Sequence, residues 1–164
     1  MSATAGDSGT PLARKLGIRP DAVVGLLAAP PGIQELLAPL PDGVTLRRRA
    51  QGRLDVIVLF AARRVALEGR FGQVVEALDT DGGLWVAWPK KSSKVPTDLD
   101  FDRVQRLGLE TGLVDNKICA IDQVWTALRF VVRLADRPAR RAARQEAGMS
   151  APGHLRAPGQ PNGG

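Results

Sequence analysis

Residues 54–88 read LDVIVLFAARRVALEGRFGQVVEALDTDGGLWVAW, and the order of patterns within them decides the fold class. The opening LDVIVLF is an apolar run broken only by Asp55, which predicts a strand buried on both faces and central in its sheet. In residues 62–78 the apolar positions Leu67, Phe71, Val74, Val75 and Leu78 fall on one stripe of a helix, which Gly69 and Gly72 weaken without reversing. DTDGG then reads as a turn into GLWVAW, a second doubly buried strand with Trp85 and Trp88 as core residues. Strand, helix and strand in this order form a βαβ unit, for which a right-handed crossover onto a parallel sheet is overwhelmingly favoured. The fold class is therefore α/β.

Outward from this unit, PLARKLG predicts a short helix between Pro11 and Gly17, and AVVGLLAA a buried strand. PPGIQELLAPLPDG supplies a short helix and a turn. VTLRRRA reads as an edge strand, because three consecutive arginines cannot all enter a sheet without partners. Beyond the central unit, Thr97 is placed to cap a helix holding Phe101, Val104 and Leu107. LVDNKICAIDQVWTALRFVVRL predicts two strands joined by a tight DQVW turn, the second with Leu128, Phe130, Val132 and Leu134 inward against Arg129 and Arg133 outward. The expected architecture is one domain over residues 11–134, a mostly parallel sheet with helices on both faces and a C-terminal antiparallel hairpin. Residues 1–10 and the basic, then Pro/Gly-rich segment 135–164 are expected to be disordered, with PARRAARQEA alone suited to a helix.

Composition narrows the function classes. Hydrophobic residues at 44% and charged residues at 24% describe an ordinary core, and no apolar run approaches the ~20 residues that cross a bilayer. The N-terminal MSATAGDSGT has no basic start followed by an apolar stretch, so the expected location is the cytoplasm. A single cysteine, Cys119, cannot form an internal disulfide and reads as a buried, inert thiol in a strand. The single histidine, His154, falls in the Pro/Gly-rich segment, which removes Ser-His-Asp and Cys-His catalysis and any multi-histidine metal site from the folded part. No catalytic residue and no metal ligand is legible. The net charge of +6 comes from 18 bases against 14 acids in residues 11–134, five against two in the tail, and one acid before them. Spread in this way it serves solubility. Arg137, Arg140, Arg141 and Arg144 would support only a weak, salt-sensitive contact with nucleic acid.

The stretches TPLARKLGI, DVIVLF, GGLWVAWPKKSSKVPTDL and TGLVDNKICAID, in that order and spacing, resemble a small single-domain actinobacterial family of unknown function, and the match covers about residues 10 to 134. At a coarser level, the run from DVIVLF through GGLWVAW to the closing hairpin is similar to the second half of class I S-adenosylmethionine-dependent methyltransferases. That resemblance implies a Rossmann-like sheet with an antiparallel last strand, and it does not by itself imply activity. Such enzymes have a glycine-rich turn after the first strand and an acidic residue at the end of the second, which holds ribose hydroxyls. Here the turn is AAPPGIQ, in which Pro30 and Pro31 remove two backbone donors and Gly32 alone offers a close approach, and the second strand ends in Arg48, Arg49 and Ala50.

The segment PKKSSK follows a central strand, where open α/β sheets bind ligands. Lys90, Lys91, Ser92, Ser93 and Lys94 would receive an anionic group there, with Pro89 and Gly32 on the neighbouring rim. The plainer reading is a solvated lysine loop. Arg47 to Arg49 could also meet phosphates, although alternation divides them between two faces and an edge protected by charge is the blander account. Asp115, Asn116 and Lys117 read as a strand start or the wall of a polar pocket, and Trp88, next to Pro89, as core or a pocket lip. These features point to a non-catalytic module that binds an anionic small molecule or an acidic protein surface. A divergent S-adenosylmethionine-dependent methyltransferase is the alternative. No cofactor is specified by the residues themselves.

Overall fold

The structure, a computed structural model, describes residues 10–150. The chain divides into two units, at Val132 and Arg133. The first holds a six-stranded sheet in the order β2-β1-β3-β4-β6-β5. Its elements are α1 (Leu12–Lys15), β1 (Val23–Leu27), α2 (Ile33–Leu37), β2 (Thr45–Arg47), β3 (Leu54–Phe60), α3 (Arg64–Ala77), β4 (Leu78–Pro89), α4 (Phe101–Glu110), β5 (Leu113–Ala120) and β6 (Trp125–Val132). β2, β1, β3 and β4 run parallel, β6 is antiparallel to β4, and β5 pairs antiparallel with β6. This is a Rossmann-like, mostly parallel sheet closed by an antiparallel hairpin. In the second unit, α5 (Arg137–Ser150) forms over the stretch that includes PARRAARQEA. Residues 1–9 and 151–164, among them His154, lie outside the described residues.

The apolar runs of β3 and β4 are explained by burial on both faces. Ile57 and Leu59 of β3 join Leu84, Val86 and Trp88 of β4 under α3 and α4, with Leu67, Phe71, Val74 and Val104. Val56, Val58 and Phe60 join Trp85 and Ala87 on the other face, under α1 and α2, with Leu12, Leu16, Ile33 and Leu37. Two contacts fix these layers. The Trp85 indole Nε1 donates to the Leu16 carbonyl at 3.0 Å in the core, and the Phe71 ring meets that of Phe130 edge-on at 6.4 Å between centroids. Trp85, 1% exposed, and Trp88, 5% exposed, are core residues as their strand position predicts.

Four details depart from the sequence reading. DTDGG is no turn, because α3 passes directly into β4 and these residues lie within the strand. From Leu54 to Val56 β3 advances two residues, while its partner advances five, from Leu78 to Gly83. The surplus forms a bulge in which the Asp79 carboxylate accepts from the Asp81 N–H at 3.0 Å. Its glycines permit close approach: a Cβ on Gly82 would overlap the Asp55 carbonyl, and one on Gly83 would lie 2.5–2.8 Å from the Arg129 guanidinium. Thr97 does not cap α4, since the Asp100 carboxylate accepts from the Arg103 N–H at 2.9 Å and takes that role. Leu134 lies past the end of β6 in a 3-10 turn and is 76% exposed, so the inward alternation stops at Val132. Cys119 is half-buried, because β5 is an edge strand.

Helical glycines give a test of the packing with opposite signs. A Cβ at Gly72 of α3 meets nothing, whereas one at Gly108 of α4 would overlap the Phe130 ring. Gly72→Ala is expected to stabilise by roughly 0.5–1 kcal/mol, and Gly108→Ala to destabilise by about 1–3 kcal/mol through overpacking, as read by urea denaturation. Trp85→Ala should cost about 3–5 kcal/mol, with Lys91→Ala unchanged in the same assay because the Lys91 side chain is exposed. Equal midpoints for Trp85→Ala and Lys91→Ala would contradict the placement of β4.

Candidate functional site

The carboxyl ends of β1, β3 and β4 lie along one edge of the sheet, and the chain is shaped there by turns with few spare hydrogen bonds. After β1 the backbone takes a left-handed conformation at Ala28 (φ 56°), runs through Pro30 and Pro31, and enters α2 at Gly32 (φ 91°). The space around a Cβ on Gly32 is open, so a glycine is required here by backbone conformation and not by a close neighbour. At the end of β2 Arg47 and Arg48 separate. Arg47 donates to the Gln51 carbonyl at 2.9 Å, and Arg48 reaches across to the Gln34 amide oxygen on α2 at 2.6 Å. Their side chains hold local loops, as expected of a charged edge.

The PKKSSK segment leaves β4 as a built turn. The Lys90 N–H donates to the Val124 carbonyl at 2.7 Å, Lys91–Ser93 form one 3-10 turn, and the Ser93 hydroxyl donates to the Lys90 carbonyl at 2.7 Å. The same hydroxyl accepts from the Val95 N–H at 3.2 Å, and Lys94 closes the turn with φ 63°. Downstream, the Thr97 hydroxyl donates to the Ala62 carbonyl at 2.6 Å and accepts from the Leu99 N–H at 3.0 Å. Asp98 accepts from the Arg64 N–H at 2.7 Å and so caps α3 from a distance. Two loops that leave neighbouring strands, β3 and β4, are thereby tied to each other.

A cleft of about 440 Å³ opens beside this turn, lined by Trp88, Lys90, Lys91, Asp100, Phe101, Asp102 and Thr126. Its lining combines two aromatic residues with ammonium and carboxylate groups, a combination suited to a flat or apolar group carrying charge. Lys90 and Lys91, named from the sequence, line the cleft, as does the largely buried Trp88. Pro89 ends β4, while Ser92, Ser93 and Lys94 belong to the turn without lining the cleft. Gly32 lies at the head of α2, beyond β1, with β3 between β1 and β4. Phe101, Asp100 and Asp102 were missed as site residues. Their signal was an aromatic residue between two carboxylates at a helix start, which reads equally well as capping. Asp115 accepts from Gln105 of α4 at 3.3 Å and so supports the helix–strand contact.

No protein-family model and no curated protein matches this chain in sequence. Solved structures do resemble it. Ribosomal protein L11 methylase from Lactobacillus delbrueckii subsp. bulgaricus superposes with a TM-score of 0.51 over 73% of this chain and 74% of that one, at 12% identity. The DhpI–SAH complex superposes with a TM-score of 0.51 over 76% and 83%, at 11% identity. At such identities the likeness is one of architecture: the chain has the Rossmann-like fold of the class I S-adenosylmethionine-dependent methyltransferases.

Proposed function

We propose that this protein is a divergent S-adenosylmethionine-dependent methyltransferase. The observation that carries the reading is the strand order β2-β1-β3-β4-β6-β5, with the chain turning to opposite sides from β1 and an antiparallel pair at the far edge. In such a sheet the ligand crevice lies outside the carboxyl ends at the point where the order reverses, between β1 and β3. Gly32 fits that role, for its open side lets a nucleoside come close to the backbone. The ribose position does not fit the family pattern, since Arg48 with Gln34 occupies the place of an acidic residue. Bound there, the group would supply an activated methyl. This chain would contribute orientation of the acceptor, held in the cleft at Trp88, Lys90, Lys91 and Phe101.

A second reading is a non-catalytic module for an anionic small molecule or an acidic protein surface, and the turn itself favours it. Pro30 and Pro31 offer no N–H groups, and the ends of β2 and β4 carry arginines and lysines. No helix among the described residues is long and apolar enough to cross a membrane.

Isothermal titration with S-adenosylmethionine and S-adenosylhomocysteine separates the two. Micromolar binding of either is the expected result, and heats indistinguishable from dilution would leave the binding module. Replacing Lys90, Lys91 and Lys94 together by Gln preserves length and polarity. The variant should fold normally and lose a salt-sensitive thermal stabilisation by nucleotides or other anionic metabolites, because exposed charges are screened over ~8 Å at physiological ionic strength. If no anionic metabolite stabilises the parent more than the variant, the turn is a solvated lysine run.

A further inference from the structure

At the opposite edge of the sheet, where β1, β3 and β4 begin, lies a larger cleft of about 520 Å³. The bulge in β4 contributes Asp79, Asp81, Gly82 and Gly83 to its lining. Two successive glycines, Gly82 and Gly83, line it, and the guanidinium of Arg129 on β6 lies where a Cβ on Gly83 would be. The turn after α1 forms the facing wall with Leu16, Gly17 and Arg19. Arg129 shares its face of the sheet with Ala127, on the α1 side, and Lys117 of the edge strand β5 stands directly opposite it in antiparallel register. The register thus brings two cationic side chains to one position of the hairpin, on the face that borders the cleft.

The cleft contains carboxylates too, and their commitments differ from those of the cations. Asp55 accepts from the Val23 N–H at 2.8 Å, and Asp79 pairs with Arg53 at 3.1 Å while accepting from Asp81. Asp81 and Arg129 both have partners. Among the described residues Arg14, Arg19 and Lys117 make no ion pair, and all three side chains are exposed on the cleft rim, with Asp21 as the acid beside them. Leu16, Ala22 and Val56 add apolar lining.

We infer that this amino-edge cleft is a binding site for a small multivalent anion, a diphosphate or a polycarboxylate. Lys117 and Arg129 approach the anion from the hairpin, Arg14 from α1 and Arg19 from the segment that follows it. The site is independent of any ligand at the carboxyl edge, since the parallel strands separate the two ends. It would bind whether or not the chain is a methyltransferase.

Amide NMR titration of the full chain with inorganic pyrophosphate, and separately with citrate, tests this site by location. Saturable shifts of the Gly82 and Gly83 amides are expected for at least one anion, and the stronger of the two identifies the class. Two variants that each remove three positive charges, from different places, then separate site from net charge. Arg14→Gln with Arg19→Gln and Lys117→Gln should weaken the saturating response at least tenfold, whereas Lys90→Gln with Lys91→Gln and Lys94→Gln should change it less than twofold. Gly83→Ala, which retains every charge and displaces the Arg129 guanidinium, should also weaken it. Equal weakening by the two triple variants, or no saturable shift with either anion, overturns the proposal. All six exchanged side chains are exposed or half-exposed, so an unchanged dispersed spectrum shows that each triple variant remains folded.

Discussion

Ile57 and Leu59 lie on one face of β3, with Val56, Val58 and Phe60 on the other, and its parallel neighbour β4 repeats the arrangement with Leu84, Val86 and Trp88 against Trp85 and Ala87. Two adjacent strands of this kind cannot leave either face to water, where each exposed apolar square ångström costs roughly 25 cal/mol. The remainder of the first unit answers that requirement. α3 and α4 cover one face, and α1 and α2 cover the other. The Trp85–Leu16 hydrogen bond and the Phe71–Phe130 contact keep each cover in register with the strands beneath. Parallel pairing also forces a crossover between successive strands, so the connecting loops collect at the two ends of the sheet.

Those two ends differ in character for a physical reason. At the carboxyl end the loops are held by specific hydrogen bonds, with Thr97 on the Ala62 carbonyl and Asp98 on the first N–H of α3. A ligand there meets a turn containing two prolines, a charged rim and an aromatic cleft beside β4. At the amino end the surplus residues of β4 produce a glycine floor, and the last two strands, running in reverse, bring Lys117 and Arg129 over it. Closing the sheet with an antiparallel hairpin thus does more than satisfy an edge. It carries side chains of β5 and β6 to the start of the strands that form its centre.

Several elements were legible before any coordinates, and for one reason. Where both faces of a strand are buried, as in LDVIVLF and GLWVAW, the apolar residues are contiguous and the assignment rests on burial alone. VTLRRRA was readable as an edge because charge is tolerated only there, and the closing turn because Asp122 supplies the acceptor for the N–H groups of Val124 and Trp125, both at 2.8 Å. Thr97 shows where such reading fails. It is as good a helix cap as Asp100 by composition, and only the proximity of the Ala62 carbonyl, 35 residues earlier, assigns its hydroxyl elsewhere.

The sequence by itself determined the α/β class, the βαβ centre, the antiparallel closure and the location of PKKSSK after a central strand, because each depends on local periodicity or on residues close together in the chain. Tertiary structure alone decided that DTDGG is a bulge and not a turn, since composition suits both and the partner strand sets the count of opposed residues. It alone placed Phe101 and Asp102 beside Lys90, and Lys117 opposite Arg129 above Gly83. Sites of this kind are formed by residues from separate elements, and their proximity is fixed by strand order and register, quantities that no single stretch of sequence contains.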